Sequence, residues 1–570
     1  MSKRTLYEQY LRPWKKMAAA GLRAVMPAHN TVLDVPCHAN EWLINDVLRD
    51  AFGFGKGVAL SDCNDIGVLA DFRIAANRSH AAALALKAGV DWDLQCGTDP
   101  QDWGYNALPQ ALKDGLISLG DIDTTVRRVL THKFAAGLFD QGPVDADKAI
   151  SILDAPAHRS LAREAAEQSI VLLKNKGDSA VPLVDSGDAG LKIALLGPTA
   201  SSDCNCTEAT FSLIGSYALP GARVVTLDQA LRAMPGANHS IEWAPGMASA
   251  ANAPGTGQDA TALADAVALA NRSDVAILIL GDIEGQSNGG CGEWGDRDSL
   301  DLQGGQLALL NAVSTVAKKT IVILVHGRPQ TFGAGNSGLD GVDALFAAWR
   351  PGEEFGNAMT RLLFGHVSPS GKLAQSWPRS VGQVGGGANP WLQRVRGKWL
   401  ANAKGAIDPD GRRYDDYLSS ATQSPTPLFY FGHGLSYSKF TYDKLVVTKG
   451  GRGQGEDEHE RERAAAAVLW TAHVTLTNVG AVAATEVVQV YIQDPAGLPF
   501  VPFWKRLVGF GRVELAPGES KMLGVDLLRE DVSMYSNGDA PKLTLYPGEY
   551  TVMVGGSSYN TTLSEVITVP

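Results

Sequence analysis

Short apolar runs alternate with amphipathic helical patterns through the first 140 residues, and this alternation limits the possible folds more than any other feature. Leu6, Tyr10, Trp14 and Met17, with Tyr7 and Leu11 alongside, fall at helical spacing and form one apolar stripe over residues 5–20. The strand-like run LRAVMPA follows at 22–28, then the helical EWLINDVLRDAFG, ended by Gly53. GVALS from Gly57 is short and apolar enough for a strand buried on both faces, and SHAAALALKAGVDWDL repeats helix into strand. The pattern predicts parallel βα units, the repeat of doubly wound sheets and closed barrels. An eight-stranded barrel needs on the order of 250 residues. This block ends near GLFD, at Asp140, with strands near 22–28, 57–61 and 88–94. Three strands cannot close into a barrel, so residues 1–140 are expected either to pair with another chain or to be partly mobile.

A second α/β block is read from the helix LAREAAEQSIVLLKN through the strand-like runs KIALLG, DVAILILG, TIVILVHG and ALFAAW to SGKLAQSWP, closing near Pro378. Residues 379 to about 428, rich in Gly, Pro, Asn and Ser, read as a linker or long surface loop. Past FGHGLSYSKFTY the period falls to two in WTAHVTLTNVG, EVVQVYIQD and GEYTVMVGG, predicting a β-sandwich of immunoglobulin or fibronectin type. The charged run GEDEHERER at 455–463 is read as a solvated loop.

Composition narrows the partners. Fifty basic against 61 acidic side chains give a formal charge of −11, which argues against nucleic acid or an anionic membrane surface and for a neutral or cationic ligand. No run approaches the ~18–20 apolar residues of a membrane span, and the start lacks an apolar signal core, so the chain reads as soluble, its compartment open. The six cysteines form neither a CxxC pair nor a set with zinc spacing; Cys204 and Cys206 read as loop thiols, and no metal or cofactor is expected.

Two segments carry possible chemistry. Asp62 stands at the carboxyl end of a parallel strand, where βα folds place reactive groups; the same position suits an aspartate capping the next helix. The glycine-rich stretch GDIEGQSNGGCGEWGDRDSL holds Glu284, Glu293, Asp296 and Arg297 and fits neither a dinucleotide nor a phosphate loop. It is either inert surface or a carrier that swings a carboxylate over a pocket.

The strings GVALSDCNDIG, ALALKAGVDWDL, GLFD, VLLKN, GEWGDRDSLDLQGGQ, FGHVSPSGKLAQSWP and FGHGLSYSKFTY, in this order, resemble glycoside hydrolase family 3, the β-glucosidases and β-xylosidases, over nearly the whole chain. The resemblance implies a multidomain α/β plus β protein: the C-terminal portion of a (β/α)8 barrel at 1–142, an α/β sandwich at 158–380, a linker at 381–428 and a fibronectin type III-like sandwich at 429–570. It implies a retaining exo-β-glycosidase acting on an oligosaccharide or glycoside, with Asp62 of the SD motif as nucleophile and Glu293 as acid/base, Glu284 in reserve. His29 and Asn30 fall where the family presents a residue to the sugar, or else cap a helix. Trp294 would wall the sugar or desolvate the acid. Cys63 and Cys96 match places where some relatives carry a cysteine pair, but two free thiols are expected; His433 is read as structural. Roughly the first five βα units of the family, with further sugar-gripping residues, have no counterpart here, which leaves three expectations: a short variant that assembles its site differently, a fragment completed by another chain or in a homo-oligomer, or a truncated reading of a longer gene. The alternatives are a β-xylosidase and a catalytically impaired remnant serving as a carbohydrate-binding or scaffold protein.

Overall fold

A computed structural model describes the chain except residues 1, 96–102, 185–189, 201–211, 216–222, 236–237, 248–258, 283–296, 385–425, 451–467, 501 and 504. It forms two compact units, Met1–Ile150 with Met534–Thr544, and Ser151–Ser533 with Leu545–Pro570. Among the described residues no helix is long and apolar enough to cross a membrane.

In the first unit the expected N-terminal helix runs from Lys3 to Ala19 with a π-type stretch at Leu6–Leu11. Strands β1 (Ala24–Val25) and β4 (Val58–Ala59) pair in parallel, and Leu60 continues the ladder as a parallel bridge to Trp92. These paired stretches are much shorter than the apolar runs that carry them. Between them lies a hairpin, β2 (Thr31–Val32) and β3 (Val35–Pro36). Its turn residues Leu33 and Asp34 both have positive φ, 53° and 67°, as a two-residue hairpin turn demands. Helix Arg78–Ala88 starts where the Asn77 side chain accepts from His80 N–H and ends at Gly89, φ 98°. Ala81, Ala85 and Ala88 pack with Val25, Ala59, Ile66 and Leu69, so the βα units share one core. Behind the ladder Asp91, with Arg49 at 2.5 Å and Arg128 at 3.0 Å, also accepts from Ala59 N–H and ties the strand ends together. The short β16 (Met534–Tyr535) and β17 (Leu543–Thr544) belong to this unit: Glu8 accepts from Tyr535 N–H at 2.7 Å.

The second unit holds a six-stranded sheet, β5 (Val171–Asn175), β6 (Lys192–Leu196), β7 (Ser240–Ala244), β8 (Val275–Gly281), β9 (Thr320–Val325) and β10 (Ala344–Trp349), in spatial order β5-β10-β9-β8-β6-β7. All neighbours are parallel except β5 and β10. VLLKN, read from sequence as the end of a helix, is thus a strand: helix Pro156–Ser169 stops before it. Successive residues along a strand enter opposite cores, Ile193 and Leu195 one, Ala194 and Leu196 the other, which is why these strands are continuously apolar.

The C-terminal strands form two antiparallel sheets, β11-β12-β15 and β14-β13-β18-β19. They comprise β11 (Phe440–Lys449), β12 (Val468–Asn478), β13 (Ala484–Gln493), β14 (Arg506–Leu515), β15 (Ser520–Leu528), β18 (Gly548–Gly555) and β19 (Thr561–Val569). Trp470, Ala472, Val474 and Leu476 alternate inward from β12 to meet Val488, Val490 and Ile492 of β13. The linker read at 379–428 and the charged run at 455–463 fall largely or wholly outside the described residues.

Candidate active site

The site in the first unit is built where β1 and β4 end. Asp62 follows buried Ser61, and its side chain is 32% exposed. It does not cap the next helix: Asn64, φ 64°, occupies that position, and helix Asp65–Asp71 follows. One Asp62 oxygen, Oδ1, accepts from the N–H of Cys63 at 2.6 Å, and the other, Oδ2, lies 2.8 Å from His29 Nε2. The carboxylate is therefore held at both oxygens while still open to solvent.

His29, beyond the end of β1, reaches a second carboxylate: its Nδ1 is 2.7 Å from Asp65 Oδ1. Asp65, the first residue of its helix, is buried, and its Oδ2 lies 3.1 Å from Nδ1 of buried His38 without aligned hydrogen-bond geometry. His38 closes the circuit by accepting from Asp62 N–H at Nε2, 3.3 Å away. The Asp65 hydrogen bond, with the charge of Asp62 behind it, raises the pKa of His29 above its usual value, whereas burial lowers that of His38. His29 thus meets the candidate nucleophile itself, and neither sequence reading of it, as sugar contact or as helix cap, describes that contact.

Of the other residues singled out from sequence, Asn30 supports the hairpin, its carbonyl accepting from Cys37 N–H at 3.2 Å. It also borders a cavity of about 510 Å³ walled by Leu6, Trp14, Val32, Leu43 and Phe52. Cys63 is disulfide-bonded, against the expectation of a free thiol. Cys96, Cys204, Cys206, Glu284, Glu293, Trp294 and Asp296 lie outside the described residues. His433 is packed into the second unit, stacked on Phe429, with Nε2 3.0 Å from the Leu173 carbonyl.

The base of the acidic loop is described and firmly built. Gly281, the last residue of β8, exchanges hydrogen bonds with the buried Gln306 amide at 2.7 and 2.9 Å. Asp282 is buried and pairs with Arg328 at 3.0 Å, also accepting from Gly327 N–H. Beside it His326 packs between Trp349 and Trp377 and donates from Nδ1 to the Arg328 carbonyl at 2.8 Å. Burial depresses its pKa to about 4. In the unfolded chain this imidazole titrates near 6.5, so between those values the unfolded state binds more protons and stability falls as pH drops, by up to about 3 kcal/mol. Urea unfolding at pH 7.5 and 4.5 is expected to show that loss in the parent and a flatter response in His326→Gln.

The sequence reading found Asp62 from its place after a strand but missed Asp65 and His38. The visible trace was two carboxylates three residues apart at a helix start, with histidines on either side of a hairpin.

Three known domain families match along the chain: the glycosyl hydrolase family 3 N terminal domain at residues 1–132, the glycosyl hydrolase family 3 C-terminal domain at 170–437, and a fibronectin type III-like domain at 486–558. The sequence is 35% identical to a beta-xylosidase of Formosa agariphila over 567 residues, covering 98% of this chain and 71% of that protein. It is 30% identical to a periplasmic beta-glucosidase of Salmonella typhimurium over 586 residues, covering 98% and 69%. The fold superimposes on a β-glucosidase from Erythrobacter marinus with a TM-score of 0.81 at 29% identity, covering the whole of this chain and 71% of that one.

Proposed function

The chain belongs to glycosyl hydrolase family 3, and on that premise we propose a retaining exo-β-glycosidase that releases terminal non-reducing β-D-glucosyl residues from oligosaccharides or glycosides. The observation that carries the reading is Asp62, a solvent-open carboxylate fixed at both oxygens at the carboxyl end of a parallel strand. Asp62 attacks the anomeric carbon as the glycosidic bond breaks, and the leaving oxygen takes a proton from Glu293. Glu293, now ionised, then takes a proton from water as that water attacks the glycosyl ester and releases Asp62, so two inversions leave the anomeric configuration unchanged. His29, Asn30 and Trp294 are assigned to the sugar.

Chromophore release from nitrophenyl β-D-glucoside tests this, with the β-D-xyloside as comparison. One observation favours the xyloside: the 35% identity to a beta-xylosidase. The described strands of the first unit make a short parallel ladder, and the rest of a barrel is assigned to a second copy or a completing chain. Native mass measured alongside turnover identifies the active assembly. Binding of the sugar without release by any assembly would favour the scaffold reading.

A further inference from the structure

Asp62, His29, Asp65 and His38 form a polar circuit among the described residues of the first unit, and Asp65 and His38 have no role in the reaction as written. The protonation of each ring follows from its neighbours. Both nitrogens of His29 face carboxylate oxygens, at 2.8 Å from Asp62 and 2.7 Å from Asp65, so both must donate and the ring is an imidazolium. His38 accepts at Nε2 from the Asp62 N–H, which leaves its proton on Nδ1 and the ring neutral, with Nδ1 3.1 Å from Asp65 but not aligned on it. The groups facing the pair are Asp62 and Asp65, the Cys37 thiol beside Asp65, and Asp93 from the strand end at Trp92. Asp93 is already engaged by Ser61 Oγ and the Tyr105 and Gln95 N–H groups.

Resting on the assignment of Asp62 as nucleophile, we propose that Asp65 is a positioning residue that holds His29 as an imidazolium against Asp62 through both halves of the reaction. Charge makes the case. Before attack, one cation stands between two carboxylates. When Asp62 forms its ester it loses its charge, and without Asp65 the imidazolium would lose its only counterion and then its proton. With Asp65 in place the cation survives in the intermediate, already aligned on the oxygen where negative charge returns as water displaces the ester. His38, fixed by its bond to the Asp62 backbone, lies 3.1 Å from the second oxygen of Asp65 without bonding it, while the first oxygen engages His29.

The test uses the full chain with 15N-labelled histidine, in the parent, Asp65→Asn and Asp65→Glu. His29→Asn assigns the His29 signals. In the parent His29 should titrate above the ordinary imidazole value; in Asp65→Asn its titration should fall, with partial recovery in Asp65→Glu. The alkaline limb of kcat/KM for a dinitrophenyl glycoside, whose leaving group needs no proton, should move by the same amount. Titration of His29 unchanged in Asp65→Asn, or a limb that stays in place while His29 shifts, would overturn the proposal. Should Asp65→Asn fail to fold, His29→Asn at its exposed site must abolish the limb, and a retained limb overturns it equally. A 2-fluoro glycoside landing on a carboxylate other than Asp62 would remove the nucleophile reading and the proposal with it. The histidine titration, which needs no turnover, separates that failure from a failure of the clamp.

Discussion

Asp62→Asn is expected to lower turnover of nitrophenyl β-D-glucoside by about 10⁴-fold or more, because it removes the atom that forms the covalent bond in the first step. The amide is isosteric, and its oxygen can still accept from the N–H of Cys63, the 2.6 Å contact of Asp62 Oδ1. The side chain is one-third exposed, so no cavity opens and the unfolding free energy should stay within about 1 kcal/mol of the parent. Initial rates together with urea unfolding separate the two effects. A variant that unfolds with its activity would return Asp62 to a structural role, and a folded variant with ordinary turnover would remove it from the chemistry.

Glu293→Gln is expected to produce a loss that depends on the leaving group. Substrates with poor leaving groups should lose about 10²–10⁴-fold in kcat/KM, since only they need the proton as the bond breaks. With a dinitrophenyl glycoside the first step keeps its rate, but the ester loses the base that activates water, so kcat and KM fall together. Added azide attacks the ester without a base and should restore turnover with β-glycosyl azide as product. Equal losses on both substrates without azide rescue would transfer the role to Glu284.

The layered parts of the fold were the most legible in sequence, because burial on both faces writes a continuous apolar run. KIALLG, DVAILILG, TIVILVHG and ALFAAW each contain a strand of the six-stranded sheet. The failures have physical causes. VLLKN continues a helical pattern without a breaker, and its strand character comes from antiparallel pairing with β10 some 170 residues later, a tertiary choice that local pattern does not carry. Ser240–Ala244 escaped notice because it is a five-residue edge strand, only partly buried, too short for its alternation to stand out. At the site, Asp62 was visible because strand ends are where βα folds expose reactive groups. Asp65 and His38 were not, since their meeting depends on a left-handed turn at Asn64 and on a hairpin that brings residue 38 back beside the strand end. Neither leaves a spacing rule behind. The acidic loop is the reverse case, conspicuous in sequence and assigned by resemblance alone.

Incubation with a dinitrophenyl 2-deoxy-2-fluoro-β-D-glucoside, followed by intact mass and peptide mapping, tests the central claim most directly. The fluorine slows both steps and the activated leaving group restores the first, so the covalent intermediate accumulates. The account predicts one fluoroglucosyl group per active chain, esterified to Asp62 in the peptide spanning GVALSDCNDIG, and none in Asp62→Asn. A label on any other carboxylate, or sustained hydrolysis of nitrophenyl glucoside by Asp62→Asn, would contradict it.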